Sequence, residues 1–389
     1  MRSLILCGAF LVSFVTGIEA QSFDDLTLVR NRPSSHTSVF KARLGALGSI
    51  AGDEDKDIGL ESQTNGDGQL YYYTDRLGGR EATLDLLVDR TSVYAGVREG
   101  SLRGSGSISR AEVYSRHTGF YRDGFYDGGE FTPTGRYGGE SYGTSMSIGR
   151  ELAADLYMEL GAFYGQNSFE ENVDTKDFII PDNFDVYGTR LWLEHNVLQL
   201  DRMSGRPDAG FILTMLLEQE WNDSGDTFGV QTGLKFQSKL PSSVFRGRAH
   251  LEWYFSQSQS GAWIFLADGQ YTDEKDRVFN TDAHKPIGNL WIDSTLGFRW
   301  DITDSLWMTP YANIQWVNHV NESGEDADSE IFFGGGVDMG FDLSDSFSLI
   351  AEYSYLNNES RSPVSMSEDV YGEHMFFSGI EMRFGARKH

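Results

Sequence analysis

The sequence predicts an all-β protein, an antiparallel transmembrane β-barrel of about 12 strands, or up to 16 if the N-terminal region contributes. Three observations predict it. Apolar and polar residues alternate with period two over many consecutive segments. Aromatic residues gather at the ends of those segments, and the connections near the C-terminus alternate between tight and long.

Composition narrows the field first. The chain has 389 residues, with 32 Lys+Arg against 58 Asp+Glu and a formal net charge of −26. That length suits one large β domain or two ordinary ones. The acidic balance excludes a basic nucleic-acid binder by default, because such a protein needs a positive footprint. With 26 Phe, 18 Tyr and 8 Trp the chain is too aromatic to be disordered. Mean hydropathy is −0.39 and the single long apolar run lies at the N-terminus, so a helical membrane protein is excluded too.

That run comes first along the chain. Residues 1–20 carry Arg2, then an apolar stretch from Leu4 to Ile18, then small residues. The stretch is short for a spanning helix, which needs about 20 residues, and it reads as a secretory signal peptide cut after Ala20 or after Gly17. Cys7 leaves with it, so the exported chain has neither a disulfide nor thiol chemistry. Leu4-Ile5-Leu6-Cys7 sits too close to Met1 to serve as a lipoprotein box. An exported, acidic, aromatic-rich chain without cysteine suggests a bacterial cell-envelope protein.

Residues 21–140 form an N-terminal region with weaker signals. Val39–Leu47, Ala82–Val88 and Val93–Val97 have strand character between polar and Gly-rich stretches. This region supplies extra strands, a plug or a periplasmic extension.

Residues 141–389 carry the barrel pattern. In Leu290–Ile302 the even positions are Leu290, Ile292, Ser294, Leu296, Phe298, Trp300 and Ile302, while Asp293, Arg299 and Asp301 fall on the odd face. Phe245–Ser256 sets Phe245, Ala249, Leu251, Trp253 and Phe255 against Arg246, Arg248, His250 and Glu252. Phe376–Phe384 alternates in the same way. Weaker strands are read at Tyr142–Leu152, Leu156–Tyr164, Asp185–Val197, Phe211–Trp221, Phe228–Leu240, Ala262–Tyr271, Leu306–Val317, Ile331–Leu343 and Phe347–Leu356. Many run about 10 to 13 residues, enough for the 9 to 11 that a tilted strand needs to cross a bilayer. Thr303-Asp304-Ser305, Ser344-Asp345-Ser346 and Arg150–Asp155 read as periplasmic turns, and Asn318–Ser329 and Asn357–Gly372 as extracellular loops. The up-and-down parity does not close over Thr272–Pro286, which points to one strand missed or split between residues 165 and 290.

A soluble β-sandwich is the competitor, and the aromatic ends and asymmetric connections argue against it. The girdle candidates are Trp221, Trp263, Tyr271, Trp300, Trp307, Trp316 and Phe384; such rings favour the lipid boundary, being part apolar and part polar. The lumen-facing charge candidates are Lys235, Arg246, Arg248, His250, Glu252, Asp293, Arg299, Asp338, Glu381 and Arg383. Rings of charge in a pore select among ions and solutes.

The strand Phe376–Phe384 and the hairpins Trp300-Asp301-Ile302-Thr303-Asp304-Ser305-Leu306-Trp307 and Phe341-Asp342-Leu343-Ser344-Asp345-Ser346-Phe347 resemble the bacterial outer-membrane β-barrel superfamily. In strand number and length the chain is similar to autotransporter translocator domains and to general porin-like barrels. The resemblance implies the cell outer membrane as location and insertion by the barrel-assembly machinery. One departure is that Gly385-Ala386-Arg387-Lys388-His389 follows Phe384, where many such proteins end on an aromatic residue.

Catalytic patterns in the sequence are weak. His250 lies between Arg248 and Glu252 on a polar face, His195 near a strand end, and His319 at the start of an acidic loop. No Gly-x-Ser-x-Gly or His-Glu-x-x-His occurs. Asp53, Asp55 and Asp57 open like a calcium loop, but Ile58 and Thr64 stand where Gly and Glu are needed. The expectation is therefore a porin-like passive channel for small hydrophilic solutes, with no enzyme activity, cofactor or bound metal. Its partners are outer-membrane lipid and lipopolysaccharide, the assembly machinery and the solutes, without nucleic acid; oligomeric state stays open. The alternative is a membrane-anchored surface-interaction or translocator barrel. A third reading, an outer-membrane lipid hydrolase, lacks a convincing His/Ser pair.

Overall fold

The computed structural model describes residues 36–49, 63–77, 82–89, 92–99, 107–127, 130–170, 178–179, 182–200, 206–223, 227–230, 237–239, 243–258, 261–273, 288–320, 326–357 and 373–387. The signal-peptide reading and the Asp53–Asp57 segment lie outside them. In chain order the strands are β1 (His36–Ser49), β2 (Gln63–Thr74), β3 (Ala82–Asp89), β4 (Ser92–Glu99), β5 (Ser107–Asp127), β6 (Glu130–Ala153) and β7 (Leu156–Glu170). Next come β8 (Phe178–Ile179), β9 (Phe184–Asn196), β10 (Gln199–Leu200), β11 (Pro207–Asn222), β12 (Thr227–Val230), β13 (Gln237–Lys239) and β14 (Ser243–Ser258). The last six are β15 (Gly261–Thr272), β16 (Gly288–Asp301), β17 (Leu306–Val320), β18 (Asp326–Ser344), β19 (Phe347–Asn357) and β20 (Glu373–Arg387).

Sixteen of these form one antiparallel ring. It runs through β1 to β7, then β9, β11 and β14 to β20, and closes where β20 pairs with β1 from His36↔Arg387 to Ser49↔Glu373. Closure leaves no edge strand, the condition for β structure in lipid. The count of about 12 is too low: residues 36–127 supply β1 to β5 as members of the ring. Their signal is weak because β3 and β4 are only 8 residues each and β2 opens on Gln63-Thr64-Asn65-Gly66-Asp67-Gly68.

The parity conflict resolves in the opposite direction to the one expected. Among the described residues between 165 and 290 the ring takes no further strand, and the sequence pattern suggests one too many. Phe228–Leu240 is not a ring strand but overlaps β12 and β13; β12 pairs with β13 on one side and β8 on the other in a small separate sheet. Without it, the strand ends Thr272 and Gly288 fall at the same end of the barrel as Val320, Asp326, Asn357 and Glu373. That loop end also holds Ser49, Gln63, Glu170, Phe184, Asn222 and Ser243. The opposite, turn end carries both ends of the ring and the connections 154–155, 259–260, 302–305 and 345–346. Residue chemistry sets these turns. Thr303 Oγ1 accepts the Leu306 N–H at 2.9 Å and the Ser305 N–H at 3.2 Å, and Asp155 tolerates φ 62°.

The ring is inside-out relative to a soluble protein. Outward positions are apolar and exposed, with Met146 at 68%, Ile148 at 69% and Phe333 at 60%. Inward positions are charged and buried, among them Arg98, Glu159, Glu194, Glu252 and Asp338. A soluble sandwich would leave that outward band in water.

Candidate functional site: the charged lumen

Alternation along each strand decides what faces the lumen. On β14 the even residues Arg246, Arg248, His250, Glu252 and Tyr254 point inward. Arg246 pairs with Glu220 of β11, and Arg248 stands opposite Leu216 in register. His250 Nδ1 lies 2.8 Å from Asp268 Oδ1 on β15 and Nε2 lies 3.8 Å from Glu252 Oε2. Tyr254 donates its hydroxyl to Glu252 Oε1 at 2.6 Å. Asp293 on β16 accepts from the side-chain amides of Asn313 and Gln315, the latter at 3.1 Å. Asp338 faces inward and buried on β18. Glu381 binds Lys41 Nζ at 3.0 Å across the closing seam and Arg383 Nε at 2.5 Å along its own strand. Lys235 lies outside the described residues.

Sequence reasoning missed the opposite wall. Arg190 on β9 donates Nη1 to Glu112 Oε2 at 2.9 Å and to Ser145 Oγ at 3.0 Å, and Nη2 to Glu218 Oε1 at 3.0 Å. Arg110 on β5 donates Nη2 to Glu159 Oε1 at 2.9 Å. The signal was present in Arg190-Leu191-Trp192-Leu193-Glu194, where charge recurs every fourth residue. Trp192, which faces inward and is buried, disguises the polar face.

Six of the seven girdle candidates face outward. Trp221, Tyr271 and Trp316 stand toward the loop end, and Trp263, Trp300 and Phe384 toward the turn end. Neighbouring outward rings extend both belts: Tyr187 lies 6.3 Å from Trp221, and Trp263 lies 5.1 Å from Phe298. Trp307 is the exception and corrects the expectation. It shares parity with Thr309 and Gln315, so its ring turns into the lumen. There it crosses Gly340, where any Cβ would meet the indole at 2.4 Å, and it receives the Arg206 guanidinium at 5.5 Å. His195 faces outward against Phe211, edge-on at 5.1 Å.

Arg206 belongs to a closure at the turn end. Between β9 and β11 the chain folds inward as a short hairpin in which β10 pairs with the start of β11, Gln199↔Ala209 and Leu200↔Pro207. The pivot is Gly210, at φ 92°; a side chain there would strike Val197 O at 2.1 Å. Leu198 packs on the inward apolar cluster Trp192, Ile212 and Leu216. Arg206 then reaches strands well round the ring. It pairs with Asp301 of β16 at 3.0 Å and with Asp342 of β18. Arg299 donates to Pro207 O and lies 3.9 Å from Asp208. These contacts tie the hairpin across the turn-end mouth.

No family model matches the chain, and no curated protein sequence matches it. Solved structures do. BamA from Haemophilus ducreyi lacking POTRA domains 1-3 aligns with a TM-score of 0.52 at 11% identity, over 90% of this chain and 71% of that one. CdiB from Acinetobacter baumannii aligns with a TM-score of 0.50 at 10% identity, over 89% of this chain and 60% of that one. The chain has the outer-membrane β-barrel fold. At these identities the likeness concerns the fold alone, so what the barrel does must come from its own lumen.

Proposed function

We propose that the barrel is an outer-membrane, porin-like channel that passes small hydrophilic solutes passively, without a catalytic group, after export by its signal peptide. The observation that carries this reading is the ring of sixteen strands with a charged inward face. Rings of 16 to 18 strands enclose aqueous channels, whereas 8-stranded ones fill with side chains. Arg206 and its partners make the turn-end hairpin the resting closure of that channel. Mixed charge lines the inside, with Asp268, Asp293, Asp338, Glu352 and Arg299 on the arc β15 to β19 and Arg98, Arg110, Arg190, Glu112 and Glu159 on the arc β4 to β9, a polar lining that favours hydrophilic solutes.

The test is single-channel conductance of the detergent-folded full chain in a planar bilayer, beside Arg206→Ala. The native chain is expected to show ohmic steps separated by long closed periods, and the variant a several-fold higher open fraction. Silence from both would sink the channel reading. It would favour the second one, a surface-interaction or translocator barrel, which draws its support from the small sheet formed by β8, β12 and β13 out of two loop-end connections.

A further inference from the structure

Two buried arginines of the lumen are under-partnered. Arg98 on β4 and Arg110 on β5 are directly opposed in register, an arrangement in which like charges repel. Both are more than nine-tenths buried, at 7% and 5% exposure. They converge on a single carboxylate oxygen: Glu159 Oε1 lies 2.9 Å from Arg110 Nη2 and 3.8 Å from Arg98 Nε. The other oxygen of Glu159 is taken by the Ser147 hydroxyl at 2.8 Å.

The two guanidiniums share a floor, the Trp192 ring, at 4.8 Å for Arg110 and 5.9 Å for Arg98. Both guanidiniums lie within cation–π range of that ring, and each keeps one buried nitrogen, Nη1, without a hydrogen-bond partner. An unsatisfied buried charge donor costs more than a neutral one. Two of them side by side, on a rigid aromatic floor, have the geometry that recognises oxygen anions through charge-assisted bonds.

We propose that Arg98 and Arg110 form a lumenal binding site for a small oxyanion, a phosphate or carboxylate group, with Trp192 as its floor and Glu159 as its internal competitor. The site lies in the turn-end half of the barrel. Trp192 belongs to the cluster with Ile212 and Leu216 against which Leu198 packs, so a bound solute anion borders the seat of the turn-end closure. The site goes beyond the channel reading, and it stands or falls whether or not the lumen conducts.

The experiment is calorimetric titration of the detergent-folded full chain with inorganic phosphate, repeated with chloride. Saturable binding of one phosphate is expected, with chloride far weaker. Arg98→Gln and Arg110→Gln should each weaken binding roughly tenfold to a hundredfold. Glu159→Gln removes the competing carboxylate and should tighten it, a change that misfolding cannot imitate. Arg150→Gln, exposed on the outward face at the turn end of β6, should leave it unchanged. Absence of phosphate binding to the native chain would overturn the proposal. So would equal binding of chloride, indifference to both arginine changes, or loss of binding in Glu159→Gln.

Discussion

Arg190 shows how a single residue organises the wall from β5 to β11. It is the one cation within hydrogen-bond reach of both Glu112 and Glu218 among the contacts described above, and Ser145 and Tyr94 complete Glu112 at 2.6 and 2.8 Å. Taking two carboxylates out of water costs several kcal/mol each, and only well-placed donors offset it. Removing the guanidinium leaves both charges buried. Arg190→Ala is therefore expected to destabilise the folded barrel by about 3–5 kcal/mol, read as a lower urea midpoint for unfolding from detergent micelles. Arg190→Lys keeps the charge but cannot bridge two carboxylates, and should fall between. An unchanged midpoint in the alanine variant would mean that Glu112 and Glu218 have other means of support. Residues of this kind were legible only where the period was clean. Arg246, Arg248, Glu252, Arg299 and Glu381 sit in strands whose outward faces are nearly pure aliphatic or aromatic, so parity assigned them. Arg190 shares its face with Phe184, Val186 and Trp192, and there a lumen that is partly apolar reads as no face at all. Trp307 failed for the reverse reason: an aromatic near a strand end looks like a girdle member unless its parity against Thr309 and Gln315 is counted.

The element that sequence reasoning did not anticipate is the pairing of β10 with the start of β11 inside the ring. A glycine before an alternating run reads as an ordinary turn, and nothing in Asp208-Ala209-Gly210-Phe211 signals a fold into the lumen. The structural requirement is specific. Gly210 adopts a positive φ that costs an L-residue roughly 1–2 kcal/mol, and its missing side chain lets Val197 O approach while the Val197 N–H donates to Phe211 O at 2.9 Å. Gly210→Ala should therefore leave the ring pairing of β11 with β9 and β14 intact while weakening the inward tuck. A shift of that size changes an open-to-closed ratio by about 5- to 30-fold. The expected readout is a rise in open fraction matching that of Arg206→Ala, with unchanged heat-modifiable gel mobility. If Gly210→Ala kept the native open fraction while Arg206→Ala raised it, Arg206 would act on the lumen wall and not through the hairpin. The excess strand at Phe228–Leu240 is the other element-scale lesson. Period two guarantees only that one face differs from the other, and a small sheet built from loops satisfies it as well as a membrane span does.

At the scale of the whole molecule, the inverted distribution of polarity and the closure of the ring depend on each other. Exposed Met146, Ile148, Leu160, Ile331 and Phe333 suit lipid, and in lipid every backbone N–H and C=O must be paired within the protein. Closure is therefore not optional, and it rests on the weakly signalled N-terminal strands. The final strand finds β19 on one side but needs β1 on the other, and β6 needs β5. A chain reduced to residues 141–389 keeps nearly all of the alternation that made the fold readable, yet presents two unpaired edges. Such edges recruit other strands. The shortened chain is expected to fail in detergent folding, running as an unfolded, aggregation-prone species without the heat-modifiable mobility of the full chain. Adding back the region from His36 should restore that mobility, because the seam Lys41–Glu381 and the register from Ser38↔Phe384 to Ser49↔Glu373 are regained together. A compact, heat-modifiable 141–389 fragment would mean that eleven strands can close on themselves, and the sixteen-strand ring would then not be the minimal barrel encoded by this sequence.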